Sequence, residues 1–381
     1  QRHVYTYDVE EEHMMGTHWY HAHHHGATAL HAAGGMAGPL LVEPADSYML
    51  PPVFDNLYKA SNPHQHVLLL SHVWMDGSDE AGAFASRAYV DLSAAYGAAE
   101  TVPPGNVTGN FYAVNGQFEP SVSMPTDSAT LFRVAHAGGS RSVVLEFSEP
   151  SCSVTILSRD GVFHYAPYDV VASVAFLPGT RTDFAVVCPA ALAGKNVTVF
   201  LGADGGIYDV NVHTQDVLLT MVLDAEAPMP PLAAPTTESV PFPDYLRDNS
   251  NLTDVPPPET GAAVIEFGVD SINNVQFAGW EDYHVNGGLY TLDAAAGSDA
   301  AGGLGGVHPW HQHINHGQVV GFGAIDFPTS HARLNEWRDT FMGDFAMTIR
   351  TRASHYTGPV VMHCHLLEHE DAGMMAIYTI E

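Results

Sequence analysis

Three pairs of histidines separated by a single residue, His21/His23, His311/His313 and His363/His365, lie towards opposite ends of a 381-residue chain. Side chains two residues apart on a β-strand share a face. A fold that uses all three pairs must therefore bring strands from both ends of the sequence to one point. Thirteen of the 24 histidines fall within residues 18–31, 308–316 and 363–369. Clustering of that kind marks ligands rather than surface decoration. Histidines such as His64, His66, His72 and His136 are scattered and read as solvent-facing or hydrogen-bonded.

Between the clusters the chain reads as short β-branched and aromatic runs: 67–74, 130–135, 142–147, 152–157, 182–187, 197–201 and 217–223. Breakers such as Pro103-Pro104-Gly105, Gly138-Gly139, Asp160-Gly161 and Pro178-Gly179 separate them, the pattern of an antiparallel sandwich or barrel. A Pro-rich stretch, 227–260, reads as a linker, and a second β set begins at Val264. The expected organisation is 1–50 as the end of a first domain, 51–226 as a second domain, the linker, and 261–381 as a third. The first segment is too short for a sandwich of about 100 residues. Because Gln1 is not an initiator methionine, the chain reads as a processed form or a fragment of a longer protein.

A formal charge of −30, with 43 acidic residues against 13 Lys and Arg, repels phosphate backbones and anionic lipid heads, so nucleic acid is not expected as a partner. With 46% apolar and only 15% charged residues the chain has enough apolar material to fold. No apolar run approaches the roughly 18–20 residues of a membrane helix, and no basic-then-apolar leader opens the chain. Asn106, Asn196 and Asn251 each open an Asn-x-Thr acceptor triplet, which leans towards a secreted glycoprotein, extracellular or periplasmic. Three cysteines cannot form a disulfide scaffold. Cys152 and Cys188 lie on candidate neighbouring strands, and a disulfide and two buried thiols both stand open.

In Val360-Val361-Met362-His363-Cys364-His365 the β-branched lead-in argues for a strand, with His363 and His365 on one side and Cys364 on the other. Six paired imidazoles exceed what one tetrahedral zinc uses and point to a polynuclear site. On the Cys364 side, His369 and Met374 follow at five and ten residues. A trigonal His₂Cys set with a weak axial Met is the ligand set of a blue-copper site, and His308, offset from the His311/His313 pair, is the donor for its second His. That spacing has no explanation in a zinc hydrolase. A two-copper nitrite reductase does not require paired histidines at both His21/His23 and His363/His365.

On these residues the chain resembles the multicopper oxidase family (laccases, bilirubin oxidases, ascorbate oxidases). Similarity extends to Val114-Asn115-Gly116-Gln117, Leu177-Pro178-Gly179-Thr180-Arg181-Thr182-Asp183 and Trp337-Arg338-Asp339-Thr340. The resemblance implies an all-β chain of tandem cupredoxin-like Greek-key β-sandwich domains, the first incomplete. It implies a blue copper held by His308, Cys364, His369 and Met374, paired coppers on His21, His23, His313, His363 and His365, and a remaining copper on His311, four ions in a complete member. Electrons arriving at the blue copper would pass through Cys364 to the paired coppers, and Glu370 matches an acidic position that delivers protons in some relatives. Met375 and the dispersed Met14, Met15, Met342, Met347 and Met362 read as core.

The family's first His-x-His signature has no counterpart, because neither His3, His13 nor His18 forms a pair. Six of the eight cluster histidines are therefore present. His18 reads as structural, and His24 and His25, adjacent and hence on opposite faces of a strand, as poor substitutes. The implied function is an enzyme, a laccase-like copper oxidoreductase that takes single electrons from phenols, aromatic amines or similar reductants and reduces dioxygen to water. The alternatives are an Fe, Mn or Cu ion oxidase of the same family, and a non-enzymatic blue-copper fragment.

Overall fold

The computed structural model describes residues 4–11, 13–44, 50–76, 107–139, 142–170, 173–202, 217–224, 231–246, 248, 263–268, 271–276, 284–285, 289–294, 308–322, 332–342, 347–352 and 357–380. His3, Pro103 to Asn106, Asn251 and the prolines at 256–258 lie outside them.

Two β-sandwiches follow an N-terminal hairpin. In the middle sandwich a seven-stranded sheet runs from Val162–Val170 through Ser153–Arg159, Arg181–Val187, Thr130–His136, Gln65–Asp76 and Val107–Val114 to Gln117–Phe118. A five-stranded sheet runs from Ser173–Phe176 through Val143–Phe147, Asn196–Gly202 and Val217–Asp224 to Ser121–Pro125. Their inner faces meet in one apolar core that includes Leu70, Phe132, Val134 and Phe184 from the first sheet and Leu145, Val174, Val199 and Leu219 from the second. Thr130–His136, Ser153–Arg159 and Arg181–Val187 are buried almost throughout, on both faces, which is what runs of β-branched and aromatic residues provide. Cys152 and Cys188 form a disulfide beside paired strands, with Cα atoms 4.2 Å apart.

The C-terminal unit has the same two-sheet form. Six strands, Ser271–Gln276, Ala263–Gly268, Leu289–Ala294, Met347–Arg352, Gly317–Phe322 and Trp337–Arg338, make one sheet. Five strands, His284–Val285, Met375–Ile380, Gly358–Cys364, Pro309–Gln312 and Thr340–Met342, make the other.

Neither unit is purely antiparallel as the turn spacing predicts. Gln65–Asp76 runs parallel to Thr130–His136, and Ala263–Gly268 parallel to Leu289–Ala294. Two further parallel pairs join Val217–Asp224 to Ser121–Pro125 and His284–Val285 to Met375–Ile380. Strand-to-turn spacing reports local hairpins only; parallel neighbours are joined by long crossovers that leave no local signal.

Residues Pro52–Tyr58 form a helix whose Phe54, Leu57 and Tyr58 are buried with Met14, Met15, Leu131 and Phe163, and Val240 and Leu246 from the expected linker join the same cluster with Trp337 of the C-terminal unit. The three parts of the chain thus share apolar core. The five dispersed methionines are all buried, whereas Met375 is only half-buried.

Candidate metal centres

The strand Pro309–Gln312 pairs antiparallel with Gly358–Cys364, placing Trp310 opposite Cys364 and His311 opposite His363. His308 and Cys364 thereby fall at one end of the sheet. The chain then enters the helix Leu367–Ala372, which carries His369, and leaves it through Gly373 at φ 117°, a left-handed turn suited to glycine. Nδ1 of His308 lies 3.4 Å from Cys364 Sγ, Nδ1 of His369 lies 4.0 Å from it, and the two nitrogens are 3.2 Å apart. Metal bonds of about 2.0–2.3 Å to nitrogen and sulfur need donor atoms about 3–4 Å apart. The triangle fits one ion.

Met374 is fully buried beside it. Its carbonyl accepts the Cys364 N–H at 3.0 Å, and its own N–H donates to His369 O at 2.9 Å, which tethers it to both residues. The Leu366 N–H points at Cys364 Sγ from 3.4 Å, a donor that stabilises thiolate. Burial, with His369 next to it, holds the His308 imidazole down at about 4, so it is neutral and able to ligate at pH 7.

A second centre lies on the other side of Cys364. Nε2 of His363 is 3.2 Å from Nε2 of His23 and 3.1 Å from Nε2 of His313. His311 stands with ring centroids 5.3 Å from both His363 and His365, and His21 lies 5.5 Å from His365. All six paired histidines therefore converge, from the N-terminal hairpin and from two strands of the C-terminal unit. Three of them are fixed by Nδ1: His21 donates to Ala22 O at 3.0 Å, His363 to Cys364 O at 2.9 Å and His311 to Asp339 O at 3.0 Å. A proton held at Nδ1 leaves Nε2 as the ligating atom. Burial lowers His21 to about 4 and His313 to about 2, and holds His363 and His365 well below the usual range, with neighbouring imidazoles adding to the shift. Imidazoles kept neutral by burial and packed together make a site for cations, and six paired histidines are more than one ion uses.

Glu370 is fully buried between the ligand histidines. Its Oε1 lies 3.4 Å from His23 Nδ1 and its Oε2 3.2 Å from His363 Nδ1, and Thr28 Oγ1 donates to it at 3.0 Å. Burial pushes its carboxyl up to about 8. The neighbouring Asp371 caps the helix Thr28–Ala33, taking the N–H groups of Thr28 and Ala29 at 3.0 and 2.9 Å.

His24 and His25 are exposed in the turn after the strand Gly16–His21, which ends before them; the strand geometry assumed for them does not hold. His18 is buried against Gly161 and 5.7 Å from the ring of His13. Several residues around the clusters carry no ligand signature, and the motifs that contain them give them no role. Trp19 stacks on His21 at 4.4 Å, Gly179 packs on His365, and Arg181 and Asp339 make a bidentate pair. Arg181 and Asp339 are rare charges inside apolar strand segments, a signal of buried pairing that motif spacing ignores.

Residues 1–47 and 293–381 each match a multicopper oxidase family model. A curated laccase of Haloferax volcanii is 27% identical over 285 residues, covering 72% of this chain and 47% of the relative. The chain thus spans about half the length of that relative. Among solved structures, a laccase from Pediococcus acidilactici aligns with TM-score 0.67 at 18% identity over 97% of this chain and 70% of its own. The McoA multicopper oxidase of Aquifex aeolicus aligns with TM-score 0.69 at 17% identity over 97% and 76%. These likenesses give the fold as cupredoxin-like.

Proposed function

We propose that this chain, which matches multicopper oxidase family models at residues 1–47 and 293–381, works as a laccase-like copper oxidoreductase, coupling one-electron oxidation of a small reductant to reduction of dioxygen to water. The observation that carries this reading is the shared use of one tripeptide: Cys364 faces the His308/His369 triangle while His363 and His365 face the six-histidine centre. His308, Cys364, His369 and Met374 would hold the blue copper. His21, His23, His313, His363 and His365 would hold the paired coppers, with His311 on the remaining one. Copper supplies reversible one-electron chemistry at the first centre and dioxygen reduction at the second.

The chain's own residues supply the rest. Backbone from Cys364 to its two neighbours is the shortest covalent route between the centres. Glu370, neutral up to about pH 8 and in reach of two cluster histidines, holds a proton beside the place where oxygen is reduced. The His308 and His369 rings are both half-buried, so an electron donor approaches without entering the core. Phenols and aromatic amines are the substrates proposed.

The self-contained donor triangle of His308, Cys364 and His369 favours a second reading, a copper protein whose blue site works alone. Loading the protein with copper without oxygen, desalting and measuring copper per chain separates the two. About four coppers, falling by one in Cys364→Ser with loss of the thiolate visible band, supports the oxidase; about one supports the second reading, and none sinks both. The Cys152–Cys188 disulfide and the exposed acceptor Asn196 support export from the cytosol. A glycan mass on an Asn196 peptide tests it.

A further inference from the structure

We propose that Arg181, a residue of the middle sandwich that touches no metal ligand, is the positioning residue that registers the six-histidine centre across the three parts of the chain. Its guanidinium is buried and makes five directed hydrogen bonds. Nη1 donates to Asp339 Oδ1 at 2.8 Å and to Gly179 O at 3.1 Å. Nη2 donates to Asp339 Oδ2 at 2.5 Å and to Asp160 O at 2.9 Å, and Nε to Thr17 O at 3.3 Å.

Three of the four acceptor residues lead to different imidazoles of that centre. Asp339 belongs to the C-terminal unit, and its backbone carbonyl takes the His311 Nδ1 proton at 3.0 Å. Its Oδ1 also accepts the Thr340 hydroxyl at 2.9 Å, and that hydroxyl oxygen lies 3.0 Å from the same His311 nitrogen. Gly179, at φ 87°, sits so close to His365 that an added Cβ would fall 2.5 Å from its Cδ2. Arg181 therefore holds the loop that walls His365. Thr17 lies on the strand Gly16–His21, which ends at His21. One side chain thus fixes the approach of His21, the wall behind His365 and the tautomer of His311, residues that come from two segments it does not belong to.

The fork geometry matters as much as the charge. Guanidinium presents five N–H donors in one plane, and all five N–H bonds have an acceptor here; an ammonium presents three and cannot span Asp339 and Thr17 together. Changing groups that orient metal-binding histidines typically weakens the metal 10–100-fold. By contrast, the hydrogen bonds of Arg181 do not reach His308, Cys364 or His369, so the blue site is expected to be indifferent to it.

This inference rests on the oxidase reading for the identity of the metal, and the test keeps the two apart. The whole protein, Arg181→Lys, and a core control with comparable destabilisation, Val186→Ala, are loaded with copper and followed by the thiolate visible band, by the electron paramagnetic resonance of non-blue copper, and by amide exchange in the copper-free state. Arg181→Lys is expected to keep the visible band, to bind non-blue copper 10–100-fold more weakly, and to lose exchange protection in Gly16–His21 and Thr340–Met342, while Val186→Ala keeps both kinds of copper. Unchanged non-blue copper in Arg181→Lys, or parallel loss of both kinds, overturns the inference. Were the unsubstituted protein to bind no non-blue copper, the oxidase reading would fail, and exchange protection alone would then decide the role of Arg181.

Discussion

At the residue scale, the centres depend on groups whose side chains are small or neutral for a reason. Gly179 has both a left-handed φ of 87° and the His365 ring within 2.5 Å of any Cβ. Gly179→Ala is therefore expected to lower unfolding free energy by about 1–3 kcal/mol, from backbone strain and a displaced imidazole. Urea denaturation of the copper-free protein measures this, and a change below the fit error would show that the loop relaxes freely. Glu370→Gln keeps shape and the Thr28 contact but removes the exchangeable acid. If Glu370 delivers protons, oxygen uptake should fall about 10²-fold or more while anaerobic reduction of the blue copper by substrate keeps its rate. Equal loss in both steps would assign Glu370 a purely structural role.

At the element scale, the sequence announces strands well and their neighbours poorly. The runs at 130–135, 142–147 and 217–223 match strands to within a residue or two at each end because burial on both faces forces β-branched composition. The helix Thr28–Ala33 and the ligand-bearing helix Leu367–Ala372 are six residues each, too short to write a helical period. Tertiary contacts make them. Asp371 caps the first from the second, so Asp371→Ala should cost about 1 kcal/mol, near the usual worth of an N-cap. The ligands were legible because metal chemistry demands fixed residue types at strand spacing. Arg181, Asp339 and Thr28 were not assignable, since what they do is set by which segments meet. The disulfide between Cys152 and Cys188 spans a separation of 36 residues. Replacing both by serine removes a constraint on the unfolded chain worth about 3–4 kcal/mol, read as a lower denaturation midpoint.

At the scale of the whole molecule two electrostatic effects oppose each other, and salt separates them. A charge of −30 repels itself, so adding salt should stabilise the fold as the screening length falls from about 30 Å at 0.01 M to about 3 Å at 1 M. Acidification relieves part of that repulsion by adding protons. The buried histidines act in the other sense. His18, His164, His363 and His365 are held well below the usual value of 6.5, mainly by burial, so the folded copper-free state resists protons that the unfolded chain binds. A depressed folded pKa contributes stability that is present above 6.5 and is lost as pH falls below it. Desolvation inside the protein is not screened by ions in solution, whereas the global repulsion is. Denaturation midpoints of the copper-free protein at pH 7.5 and 5.5, each at 0.02 M and 1 M sodium chloride, should therefore show stabilisation by salt at pH 7.5 and a loss on acidification that is larger, not smaller, at 1 M. His164 lies outside both metal centres and is buried with no hydrogen-bond partner for Nε2 among the described residues. Its replacement by Phe should recover a measurable part of the acid loss at high salt, and an unchanged midpoint difference would assign the acid sensitivity to the ligand histidines alone.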